Sequence, residues 1–126
     1  MASLFELQDP NFGRLTKAKS VLAGGDEATT LTAAQSIETI VTVTPTAGRT
    51  YTTATAAAIL TELGINNKVG QTFELIFVNL ASATHALTVA GGTTVTVVGS
   101  ATVAAASSAT FVGRVTSSTA ISLYRV

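Results

Sequence analysis

The sequence predicts an all-β fold, an antiparallel sandwich or barrel with one short helix. Three observations carry this. From Leu75 through Gly113 there is no Asp, Glu, Lys or Arg. Within that run apolar residues alternate with small polar ones, as in Thr94-Val95-Thr96-Val97 and Ala86-Leu87-Thr88-Val89, the period of two that marks a strand. Small-residue pairs recur where turns are needed, at Gly91-Gly92, Gly99-Ser100 and Ser107-Ser108. The same run is too rich in Gly and β-branched residues for a spanning helix, which needs about 20 predominantly apolar residues in helical conformation.

The elements follow in chain order. Residues 1–30 show no sustained period and contain the turn formers Asp9-Pro10-Asn11, Gly13 and Gly24-Gly25. Half of all charged side chains lie between Glu6 and Glu27, and beyond Glu74 only Arg114 and Arg125 carry charge. The composition therefore divides the chain into an extended N-terminal arm, 1–30, and a β body, 31–126. The arm has scattered apolar anchors (Leu4, Phe5, Leu7, Phe12, Leu15); it either lies on a neighbour or is a disordered terminus. Ile37 to Thr44 reads as the first strand, ended by Pro45 and the turn Thr46-Ala47-Gly48. Arg49 to Thr53 is a short strand. Thr55 then caps a helix over Ala56 to Leu63, with Gly64 as its stop and Ile59, Leu60 and Leu63 on one face. Thr72 to Leu80 is the strongest strand. Phe73, Leu75 and Phe77 point to one side and Ile76, Val78 and Leu80 to the other, so a central strand covered on both faces is expected. Leu87 to Ala90, Thr93 to Val98, Ala101 to Ala105, Ala109 to Thr116 and Ala120 to Arg125 complete the set.

Composition bounds the function. The chain has 126 residues, seven basic and seven acidic side chains, and only 11% charged residues, against about 25% in an average soluble domain. Its mean hydropathy is +0.49. Such a surface is short of solvating groups, and burial against other subunits is the simplest remedy. Balanced charge with no basic cluster argues against nucleic acid and against a polybasic membrane contact. Without cysteine there is no disulfide, thiolate metal site or thiol nucleophile. The first residues do not read as a signal peptide.

The search for chemistry returns no catalytic residue, metal site or cofactor. The lone histidine, His85, has no second His or Cys and no acid between Glu74 and the C-terminus to work with. Asp9, Asp26, Glu27, Glu38, Glu62 and Glu74 form no calcium loop, and Asp26-Glu27 reads as a solvated turn. Sugar binding would call for exposed aromatic platforms, but there is no Trp and only Tyr51 and Tyr124. Arg114 and Arg125 either pair with Glu38 or Glu74 across a subunit contact or point outward from strands.

Several segments share a cadence with a known group. They are Thr44-Pro-Thr-Ala-Gly-Arg-Thr-Tyr-Thr-Thr53, the Ala-rich helix, Val69-Gly-Gln-Thr-Phe-Glu-Leu-Ile-Phe-Val-Asn79, Leu87-Thr-Val-Ala-Gly-Gly92, Val97-Val-Gly-Ser-Ala-Thr-Val-Ala104 and Ser108-Ala-Thr-Phe-Val-Gly-Arg-Val-Thr-Ser117. Together, over residues 35 to 126, they resemble the small head decoration, or cement, proteins of tailed bacteriophages, cyanophages in particular. Similar texture occurs in phage tail-fibre and tailspike domains. The resemblance implies a β-sandwich or jelly-roll-like subunit that forms homotrimers on the outer surface of the capsid and clamps the major capsid protein. It implies no enzyme, cofactor, nucleic acid or membrane. The residues expected at subunit or capsid contacts are Phe5, Phe12, Arg14, Phe73, Phe77, Phe111, Arg114 and Tyr124. The rival expectation is a receptor- or glycan-binding module of a tail fibre.

Overall fold

A computed structural model describes residues 18–126. The expectations for Phe5, Phe12 and Arg14, and for the arm up to residue 17, lie outside the described residues. In chain order the strands are β1 (Ser20–Ala23), β2 (Thr29–Thr30), β3 (Thr39–Val43), β4 (Arg49–Thr52), β5 (Thr72–Asn79), β6 (Leu87–Ala90), β7 (Val95–Val98), β8 (Thr102–Val103), β9 (Ser107–Val115) and β10 (Ile121–Arg125). One α-helix, α1 (Ala56–Leu63), lies between β4 and β5. The strands form two sheets. The broad sheet has the order β1-β3-β5-β9-β10-β7 and the narrow sheet the order β2-β4-β6-β8.

The two sheets share one core. Phe77 of the broad sheet stands edge-on to Tyr51 of the narrow sheet, with ring centroids 6.1 Å apart at 72°. It meets Phe111 of its own sheet in the same way, at 6.1 Å and 85°. Edge-to-face geometry sets the positive rim of one ring against the negative face of the next, worth about 0.5–1.5 kcal/mol beyond area burial. Val41, Leu75, Val115 and Leu123 from one sheet and Leu87, Val89 and Val103 from the other complete the cluster. The helix joins it through Ile59 and Leu60. Thr55 caps α1 as its spacing predicts, its Oγ1 accepting from the Ala58 N–H at 3.2 Å. Gly64 stops the helix at φ +60°, where a Cβ would be strained.

The expected antiparallel arrangement is corrected by the pairing. β1 runs parallel to β3, β3 to β5, β2 to β4, β4 to β6 and β7 to β10. Only β5–β9, β9–β10 and β6–β8 are antiparallel. The physical reason lies in the connections. The short turn at Pro45 to Gly48 carries the chain from β3 in the broad sheet to β4 in the narrow one, so strands adjacent in sequence face each other across the core. Each return to the first sheet lays the next strand beside the last in the same direction, so β1 to β6 wind as successive coils. The jelly-roll expectation rests on antiparallel neighbours, which these coils do not supply.

The described part of the predicted arm is woven into this winding. Ser20 to Ala23 pairs with Thr39 to Thr42, and Thr29-Thr30 with Tyr51-Thr52. Two polar clamps secure it. Lys19 Nζ lies 3.0 Å from Glu38 Oε1 and 2.9 Å from Glu74 Oε1. The Asp26 carboxylate accepts from the Thr46 N–H (3.0 Å), the Thr46 hydroxyl (2.6 Å) and Arg49 Nε (2.8 Å). The Tyr51 hydroxyl donates to the Gly25 carbonyl from a fully buried ring.

Candidate interaction surface

The structure divides the expected contact residues. Phe73, Phe77 and Phe111 are 3%, 0% and 0% exposed. All three point inward from β5 and β9, so they belong to the core and offer a partner no surface. Aromatic character alone leaves core and interface open for such a ring, and burial places these three in the core. Arg114 and Tyr124 stand on the other side of the broad sheet, both exposed.

That outer face can be read off the register. One row runs Val21, Ile40, Ile76, Thr110 across β1, β3, β5 and β9. The next runs Glu74, Val112, Tyr124, Val98 across β5, β9, β10 and β7. A third carries Ala23, Thr42, Val78 and Ser108, and a fourth Thr72, Arg114, Ser122 and Thr96. Val21 is 69% exposed and Val98 42%, and Ile40, Ile76, Val78 and Val112 are half-buried. No element of the described residues lies over these rows, because α1 turns its buried residues into the shared core. The outer face of the narrow sheet is different. By register it presents Thr50, Thr88 and Thr102 in one row and Thr30, Thr52 and Ala90 in the next. One molecule thus shows a threonine face and an aliphatic face.

Charge is confined to the rim. Glu38 and Glu74, the expected partners of an arginine, are engaged by Lys19 instead, and Glu38 Oε2 also accepts the Glu74 N–H at 2.8 Å. Hydrogen bonds donated to Glu74 and then to Glu38 push the Lys19 ammonium up from its ordinary value. Arg125 Nη1 donates to the Ser100 and Thr102 carbonyls and so ties β10 to the β7–β8 link. Arg114 has no ion-pair partner among the described residues and stands at the edge of the aliphatic rows.

The remaining polar groups serve the fold. Buried Asn79 donates to the His85 and Val103 carbonyls and accepts the Ala81 N–H, all within 3.0 Å. His85 thus contributes its backbone to a turn. Among the described residues no three His, Cys, Asp or Glu side chains converge as a metal site. A cleft of about 200 Å³ is lined by Leu60, Asn67, Lys68, Val69 and Ser118, smaller than the ~300–1,000 Å³ of typical ligand pockets. No helix among the described residues is long and apolar enough to cross a membrane.

Val21, Ile40, Ile76 and Val98 were not among the expected contacts. A signal for them existed in the apolar residues on both sides of Thr72 to Leu80 and in the unbroken Ile40-Val41 pair of β3, since a strand with one solvated face alternates. No family model, curated protein or solved structure matches this chain.

Proposed function

We propose that this chain is a structural virion protein without enzymatic activity: a capsid decoration, or cement, protein of a tailed bacteriophage. It associates with copies of itself as a homotrimer, binds the outside of the major capsid shell and stabilises it. The observation that carries the reading is the contrast between the two outer faces. An aliphatic face suits burial against protein and a threonine face suits solvent. That is what a small protein fixed to a shell surface needs. The resemblance over residues 35 to 126 supplies the virion context. Two sheets around one core agree with the β-sandwich form of such subunits, of which the jelly roll is the antiparallel variant. The apolar side chains Leu4, Phe5, Leu7, Phe12 and Leu15 are the proposed contacts with a neighbouring capsid protein. Weak contacts repeated over a shell reinforce each other, so each copy needs only modest affinity.

The test is attachment. Purified protein is mixed with shells of the corresponding capsid that lack it, and the mixture is sedimented and imaged by electron microscopy. Regular density on the outer surface and a higher shell disruption temperature are expected. Bare shells, together with specific binding on a glycan array, overturn the proposal in favour of a tail-fibre recognition module.

A further inference from the structure

We infer that the outer face of the broad sheet is the surface through which one copy of this chain packs on another. The inference deepens the self-association named above and rests on that reading; it assigns the contact to one face.

Four observations lead to it. First, β3 and β5 carry apolar residues toward both sides of the broad sheet, Val41, Leu75 and Phe77 inward and Ile40, Ile76 and Val78 outward, as strands covered on both faces do. Here the inner face is covered by the narrow sheet and the outer face by no described element. Second, Val21, Ile40, Ile76, Val112, Tyr124 and Val98 step across all six strands as a diagonal apolar band, bordered by Thr42, Ser108 and Thr110 on one side and Thr72, Ser122 and Thr96 on the other. Third, the area is adequate. The 35 residues of its six strands, at about 3.3 Å per residue and about 4.8 Å between strands, project over roughly 550 Å², close to the ~600 Å² per partner at the low end of specific interfaces. Fourth, the charged groups on this side, Arg114 and the Lys19–Glu38–Glu74 cluster, lie toward the Thr72 end of β5, so packing on the apolar band leaves them at its margin.

The occupant is a second copy. The face has no basic patch for nucleic acid or anionic lipid. Overall charge is zero, so identical copies approach without long-range repulsion. Face-to-face packing gives dimers, and use of one half of the face against another surface of the next copy gives a closed ring such as the trimer. In either case Tyr124 and Val98, on the β10–β7 side of the face, leave water.

The experiment is light scattering coupled to size exclusion on the full chain, from about 1 to 100 μM. Wild type is compared with Tyr124→Lys and Val98→Lys, both exposed positions that tolerate a lysine in the monomer, and with Thr88→Lys on the threonine face. Circular dichroism checks that each variant is folded. Wild type and Thr88→Lys are expected at a multiple of the 12.7 kDa chain mass. Tyr124→Lys and Val98→Lys are expected at the chain mass, or with association weakened at least tenfold. A monomeric wild type at 100 μM overturns the inference. So does an oligomer that both outer-face lysines leave unchanged. Failure of the virion reading is separable: a chain that associates through this face yet leaves shells bare loses the capsid role and keeps the contact.

Discussion

At the scale of single residues, close approach decides more than chemistry does. Gly113 on β9 lies opposite Phe73 on β5, and a Cβ at Gly113 would stand 2.1 Å from the Phe73 ring. The tip of the ring therefore occupies the space that a side chain at 113 would fill. Gly113→Ala is expected to destabilise the fold by about 1–3 kcal/mol, the range for overpacking a well-filled core. Urea unfolding followed by circular dichroism measures it. Nothing in the sequence marks this pair, because Gly113 sits in an alternating stretch like its neighbours. Asp26 is the other residue whose role exceeds its appearance. Hydrogen bonds from Arg49 and Thr46 hold its carboxyl well below its ordinary value of 3.8. A carboxyl depressed on folding contributes stability that is present above the unfolded value and is lost as pH falls through the folded one. The loss therefore begins below about pH 4 and continues into stronger acid. Asp26→Asn is expected to lower the melting temperature near neutral pH and to flatten its fall between pH 4 and pH 2. An unchanged acid limb in the variant would show that the clamp does not hold β1–β2 to the β3–β4 turn.

At the scale of elements, local signals were legible and pairing partners were not. The helix was readable to the residue, because Thr55 and Gly64 are local devices with local partners. β3 to β10 fall within two or three residues of the expected spans, since period-two alternation and turn residues act over short range. β1 and β2 were hidden. Ser20-Val21-Leu22-Ala23 is four residues long, with two adjacent apolar side chains, and β2 is only two threonines. Neither carries a pattern, and both form because β3 and β4 present open edges that accept them. Strand direction was illegible for a related reason. A turn of given length can return a chain along its own sheet or carry it to a facing one, and the choice rests on the core beyond. The candidate surface was half legible: Arg114 and Tyr124 lie on it. The aromatics Phe73, Phe77 and Phe111, expected at subunit or capsid contacts, instead fill the space between the sheets.

At the scale of the whole molecule, the scarcity of charge and the aliphatic outer face describe one property. Five of the ten charged side chains among the described residues serve as clamps, Lys19 with Glu38 and Glu74 where β1 and β3 begin and Asp26 with Arg49 beyond where they end. The broad face between them is left to dispersion and the hydrophobic effect. Association through it therefore has a distinct salt response. An interface held by ion pairs weakens as salt rises, because the screening length falls from about 14 Å at 0.05 M to about 4 Å at 0.5 M. An apolar interface is indifferent to that change and is strengthened by excluded salts such as sulfate. The sedimentation coefficient of the full chain at a fixed concentration of about 10 μM is expected to stay constant from 0.05 to 0.5 M sodium chloride, and self-association to tighten in 0.5 M ammonium sulfate. Tyr124→Lys is expected to remove the sulfate response along with the association. Dissociation by sodium chloride would place the contact at the charged rim instead, around Arg114 and the Lys19 cluster. The aliphatic rows would then face some surface other than a second copy of the chain.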